Sequence, residues 1–155
     1  MRTNRLFWAG WVLGLGFGGF FDGIVLHQIL GWHHLICRTD TCQPTSIASL
    51  QQQNKEDGFF HLAVWVVSLV GTGLLYRARN EGSGQTLLGG MLAGWGTFNF
   101  VEGLLDHQLL GLHHVLPGSP HELLYDLLFL ASGLLLLAGG WSLGARERRP
   151  RQAAV

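Results

Sequence analysis

Residues 22–34, Asp22-Gly-Ile-Val-Leu-His27-Gln-Ile-Leu-Gly-Trp-His33-His34, recur at residues 102–114 as Glu102-Gly-Leu-Leu-Asp-His107-Gln-Leu-Leu-Gly-Leu-His113-His114. The offset does not drift: 102 − 22, 107 − 27 and 114 − 34 all equal 80. A chain that writes one acid and three imidazoles twice, at a fixed spacing, is constrained to fold as two like halves. Each copy closes a strongly apolar run, where ionisable groups are costly and mark function unless they are paired.

The runs themselves set the fold class. Residues 6–30, 59–76, 86–110 and 123–143 each approach or exceed the ~20 mainly apolar residues that cross a bilayer. With 48% of the chain hydrophobic and only 13% charged, the reading is an all-α integral-membrane four-helix bundle. It is built from two parallel two-helix repeats in one domain, with repeat one over 6–76, a link over 77–85, repeat two over 86–144 and a basic tail over 145–155. An even number of spans per unit returns each repeat in the same orientation, so the pseudo-twofold axis lies along the membrane normal. Small residues at helical spacing, Gly10, Gly14 and Gly18 in one run and Gly90 and Gly94 in another, suit close helix approach. Alternation of the kind a strand barrel needs is absent.

Charge orients the bundle. Arg2 and Arg5 precede the first run, Arg77 and Arg79 follow the second, and Arg146, Arg148, Arg149 and Arg151 follow the fourth. By the positive-inside rule both termini and the middle link are cytoplasmic. Every His-His pair then lies on the outer side. The first run is read as a retained span, because it is long, contains Asp22 and lacks a small-residue cleavage pattern. Trp8, Trp11, Trp32 and Trp141 suit an interfacial aromatic belt. Cys37 and Cys42, the chain's two cysteines, fall in the first outward loop, where an oxidising compartment favours a short disulfide. A metal-thiolate pair is the alternative.

Within the first run, His27 follows Asp22 by about one and a half α-helical turns, so the two are not expected on quite the same face. Gly31 offers a place for the helix to stop, after which His33 and His34 turn back toward the bundle. A helix continuing straight would instead pair His27 with His34 and Asp22 with His33. Ser46 is a candidate start for a short surface helix. The second run opens with Asp57 and His61, whose i, i+4 spacing stacks carboxylate over imidazole. Glu122 and Asp126 fall at matching positions, since 122 − 57 and 126 − 61 both equal 65. On that alignment Asp126 replaces His61.

The candidate metal ligands are therefore Asp22, His27, His33, His34, Asp57 and His61 in one half, and Glu102, His107, His113, His114, His121 and Asp126 in the other. All eight histidines are included. Imidazole mixed with carboxylate suits iron, zinc, manganese or Cu(II), whereas Cu(I) sites favour thioether and thiolate. So many ligands exceed the needs of one tetrahedral ion, which points to a dinuclear non-haem site or to a single ion with an outer ring of orienting acids. The Glu-x-x-His element of soluble di-iron bundles is missing.

The twin Asp/Glu-Gly-x-x-x-His-Gln-x-Leu-Gly-x-His-His motifs in a four-span chain resemble an uncharacterised family of small bacterial membrane proteins carrying a domain of unknown function. The resemblance implies a bacterial inner-membrane location and no established activity. Three function classes stay open on the residues. One is a redox or hydrolytic metalloenzyme, and another is a metal-handling or respiratory-complex assembly protein without turnover. The third is a haem protein using His61 with His27 or His107 as axial ligands. An ion pathway is disfavoured because the inner halves of the runs carry almost no ionisable groups. Expected partners are the lipid bilayer and either a second copy or a respiratory-complex component. No nucleotide or nucleic-acid signature is present.

Overall fold

A computed structural model describes residues 4–146. Arg2, Arg148, Arg149 and Arg151 of the charge pattern lie outside the described residues. Helix α1 (Arg5–Phe21) runs on into a π-helical segment, π1 (Asp22–Ile29), and α3 (Gly84–Glu102) runs on into π2 (Gly103–Leu109). The flanking helices are α2 (Ile47–Ala78) and α4 (Glu122–Arg146). The fold is all-helical, with no strand among the described residues. The surface helix expected near Ser46 and the second span are a single helix, because Ser46 and Ser49 close a capping box that starts α2 at Ile47.

Three helices among the described residues are long and apolar enough to cross a membrane: Arg5–Ile29, Ile47–Ala78 and Glu122–Ala145. The run at 86–110, expected as a fourth span, does not reach that standard. Gln85, Thr86, Thr97, Asn99, Glu102 and several glycines dilute it. Its position compensates, for α1 and α3 form the central pair while α2 lies on α1 and α4 on α3. The outer helices turn Phe59, Trp65, Leu69, Leu124, Leu128 and Leu135 outward. A surface so apolar is stable against lipid and not against water.

Glycine sets the distance between the central helices. A Cβ on Gly10 or Gly14 would strike the carbonyl of Leu87 or Met91, and one on Gly90 or Gly94 that of Phe7 or Trp11. These contacts come in pairs, since 87 − 7 and 91 − 11 both equal 80. The second interface is glycine on glycine, with Gly89 and Gly96 of α3 against Gly140 and Gly133 of α4. With the backbones so close, dispersion and weak polar contacts hold the helices where no water-driven burial is on offer. Gly14→Leu is expected to lower stability by at least about 1–3 kcal/mol through overpacking. Gly73→Leu, where a Cβ meets nothing within 4 Å, should be tolerated. Thermal unfolding in detergent distinguishes the two.

The arginine-bearing end is one end of the bundle. Arg5 at the start of α1 pairs with Glu81 in the link between α2 and α3 (3.3 Å). Phe7, Trp8 and Trp141 pack edge to face beside it. The doubled motifs occupy the opposite end.

Candidate metal centre

The switch from α to π geometry brings acid and imidazole together. In an α-helix, residues five apart are separated by about 140° around the axis. In a π-helix the hydrogen bond itself runs from i+5 to i, and the two side chains stack. Leu30 N–H donates to Val25 O and Leu110 N–H to Leu105 O, both at this spacing. Consequently His27 Nε2 stands 3.0 Å from Asp22 Oδ2, and His107 Nε2 stands 3.0 Å from Glu102 Oε1. The expectation that Asp22 and His27 lie on not quite the same face is corrected, since the two side chains meet. The sequence signal was the five-residue spacing itself, present in both copies beside a glycine.

Each π segment then ends on a glycine in the left-handed region, Gly31 at φ 58° and Gly111 at φ 56°. Residues with a Cβ adopt this conformation at a cost, and it reverses the chain. Of the two paths open from sequence, the chain takes the turn. His33 and His113 come back into the bundle and stack face to face, with centroids 4.5 Å apart and planes 10° apart. His27 lies 4.6 Å from His33, and His107 lies 4.9 Å from His113. Four buried rings thus share the space between two buried carboxylates.

The outer nitrogens of three of these rings, His27, His33 and His113, are tied down. His33 Nδ1 donates to Val115 O (2.8 Å) and His113 Nδ1 to Leu35 O (3.0 Å), so each half orients the other half's ring. A carbonyl only accepts, which puts a proton on Nδ1; in the neutral ring Nε2 then carries the lone pair. Burial and the neighbouring His113 hold the His33 imidazole below its ordinary pKa, which favours the neutral form. His27 Nδ1 donates to Asp57 Oδ1 (3.0 Å). The inner nitrogens therefore face carboxylates: His113 Nε2 lies 3.0 Å from Glu102 Oε1, and His33 Nε2 lies 3.8 Å from Asp22 Oδ1. Asp22 Oδ1, Glu102 Oε2 and the Nε2 atoms of His27, His33 and His107 are buried without a hydrogen-bond partner.

Two groups of three donors lie within 4.8 Å of one another: His27, His33 and His113, and Glu102, His107 and His113. Donors held about 2.0–2.2 Å from one ion stand roughly 3–4 Å apart. The geometry can hold a metal after small side-chain adjustments. His113 belongs to both groups.

Asp57 and Asp126 form the outer ring. Asp57 accepts from His27 Nδ1, His34 Nδ1 (2.7 Å) and Leu35 N–H (3.0 Å). Asp126 accepts from His114 Nδ1 (2.7 Å), Val115 N–H (2.9 Å) and Gln108 (3.3 Å), and lies 3.6 Å from His107 Nδ1. Asp126 is thus the counterpart of Asp57, at an offset of 126 − 57 = 69, and not of His61. Phe129 beside His107 matches Phe60 beside His27 at the same offset. Carboxylate spacing alone misplaces this pairing because the second loop is shorter than the first.

Residues 9–147 match the model of a family described as "Predicted membrane protein (DUF2243)". The chain belongs to that family. No curated protein and no solved structure matches it.

The remaining candidates of this DUF2243 chain sit apart from the central rings. His61 donates through Nδ1 to the Asp57 backbone carbonyl (2.8 Å), so the expected contact with the Asp57 carboxylate is not made. Its Nε2 is buried against Gly23 without a partner. The position 69 residues on is Leu130, which packs at Gly103 as His61 does at Gly23. His121 is exposed, and its carbonyl accepts the first backbone bonds of α4.

Cys37 and Cys42 are disulfide-bonded, with Cα atoms 4.7 Å apart. Cys37 N–H donates to Leu112 O, and Gln53 donates to Cys42 O, which ties the loop to both the second motif and α2. Replacing both cysteines by serine is expected to cost about 2 kcal/mol for so short a loop. Melting curves of the double variant against the oxidised parent in detergent check this.

Proposed function

We propose that this chain is an integral-membrane metal-binding protein. Its centre holds a pair of transition-metal ions among Asp22, His27, His33, Glu102, His107 and His113. One observation carries the reading: the outer nitrogens of His33 and His113 are committed to carbonyls, which turns Nε2 lone pairs onto carboxylate oxygens. Lone pairs facing carboxylates in a buried site repel unless a cation lies between them. Each half contributes two imidazoles and one carboxylate, the donor mixture that suits iron, zinc or manganese. Asp57 and Asp126 act one shell out, orienting His27, His34 and His114, as carboxylates do behind metal-bound imidazoles.

A non-haem centre is favoured over haem because both His27 ring nitrogens already face carboxylates. When bound, the ions supply Lewis acidity or redox chemistry at the outer membrane face. The protein's own part is to hold His27, His33 and His113 by their outer nitrogens and to seal the carboxylates from water. On the positive-inside rule the arginine end is read as cytoplasmic and the centre as outward-facing, in the bacterial inner membrane that the family resemblance implies.

The test is metal-dependent stability. Full-length protein in detergent is expected to melt higher with Fe(II), Mn(II) or Zn(II) than after exhaustive chelation, by an amount that grows with ion concentration. If imidazolium protons supply the positive charge instead, no ion shifts the melting point, and the metal reading is wrong.

A further inference from the structure

The two halves are chemically alike around the centre but not equally covered. The His34 side chain is 13% exposed and its counterpart His114 is 42% exposed. Beside His114 a cleft of about 480 Å³ opens between the disulfide loop and the second motif, lined by Arg38, Asp40, His113, His114 and Glu122 among others. We infer that this cleft is the route by which a hydrated divalent cation reaches the centre from the aqueous face. The inference rests on the metal reading above.

Position is the first argument. His113, the one residue common to both three-donor groups, lines the cleft. The cleft thus ends on the covered ring shared by both groups, with the more exposed His114 beside it. Charge is the second. Arg38 is engaged by both Glu56 carboxylate oxygens, which offsets its cation. Asp40 and Glu122 remain as lining carboxylates, and Glu122 is fixed by the Gly118 N–H (2.6 Å). Carboxylates at the mouth of a narrow cleft concentrate cations and raise their arrival rate.

Size is the third argument. At ~30 Å³ per water, an ion with six waters occupies roughly 200 Å³, which the cleft accommodates. Among the described residues α2 and α4 present leucine, phenylalanine and tryptophan on the flanks of the bundle, and a hydrated ion does not cross such a surface.

The experiment follows Co(II) uptake by chelator-stripped, full-length protein in detergent, using the absorption of the bound ion. Three proteins are compared: the parent, the double variant Asp40→Asn with Glu122→Gln, and Thr39→Trp, which places a bulky ring in the cleft wall. The expected result is the parent's final Co(II) content in all three. Uptake should be about tenfold slower in the carboxylate variant at low salt, with the gap closing as salt rises, and slower at every salt concentration in Thr39→Trp. Parental uptake rates in both variants would overturn the route alone. A reduced final content in the carboxylate variant would also overturn it, by making Asp40 and Glu122 ligands. Absence of Co(II) from the parent would overturn the metal reading and the route with it.

Discussion

His113→Ala is expected to lower the affinity of the centre for its ions by more than about 100-fold, beyond the ~10–100-fold that an outer orienting partner costs. The size of the effect follows from the position of one ring. His113 belongs to both three-donor groups, stacks on His33, and takes its orientation from Leu35 O, which follows the first motif. Its removal takes a ligand from each group and leaves Glu102 and His33 without their shared neighbour. His121→Ala, in neither group, should leave affinity unchanged. Chelator-competition titration of the purified variants measures this. Equal affinity in parent and His113→Ala would place the ions elsewhere.

Asp57 carries the second large effect. Its side chain is 1% exposed and accepts three hydrogen bonds, from His27, His34 and the Leu35 amide. Asp57→Leu orphans all three donors in a buried site and should cost about 3–5 kcal/mol, as breaking a buried pair does. Asp57→Asn keeps the shape and one acceptor oxygen. It should fold, yet bind ions roughly 10–100-fold more weakly because His27 is no longer oriented by a charged partner. Denaturation with and without metal separates these consequences. A purely structural cluster predicts the same loss of stability for Asp57→Asn in both conditions, whereas a metal centre predicts a larger loss with metal present.

Much of this was legible in the residues, and the reason is the doubling. The fixed offset of 80 marked the two histidine and carboxylate clusters, and the apolar runs marked a helical membrane protein. What stayed hidden were changes in helical geometry. Asp22 and His27 look misaligned at 3.6 residues per turn, and nothing in composition announces a π-helix. The pairing of Asp126 with Asp57 was equally hidden, since it depends on the lengths of two unlike loops and emerges from shared partners. Nor could hydropathy reveal that the third run occupies the centre of the bundle. Its glycines and polar residues reduce the hydropathy of that run, and they permit the close packing that places it there.

The most direct test is elemental analysis of full-length protein purified without chelator and without added metal, read together with its absorption spectrum. About two transition-metal ions per chain are predicted, as in other paired-carboxylate bundle centres, with no haem band. Folded protein that carries no transition metal, and takes none up when one is supplied, would contradict the account.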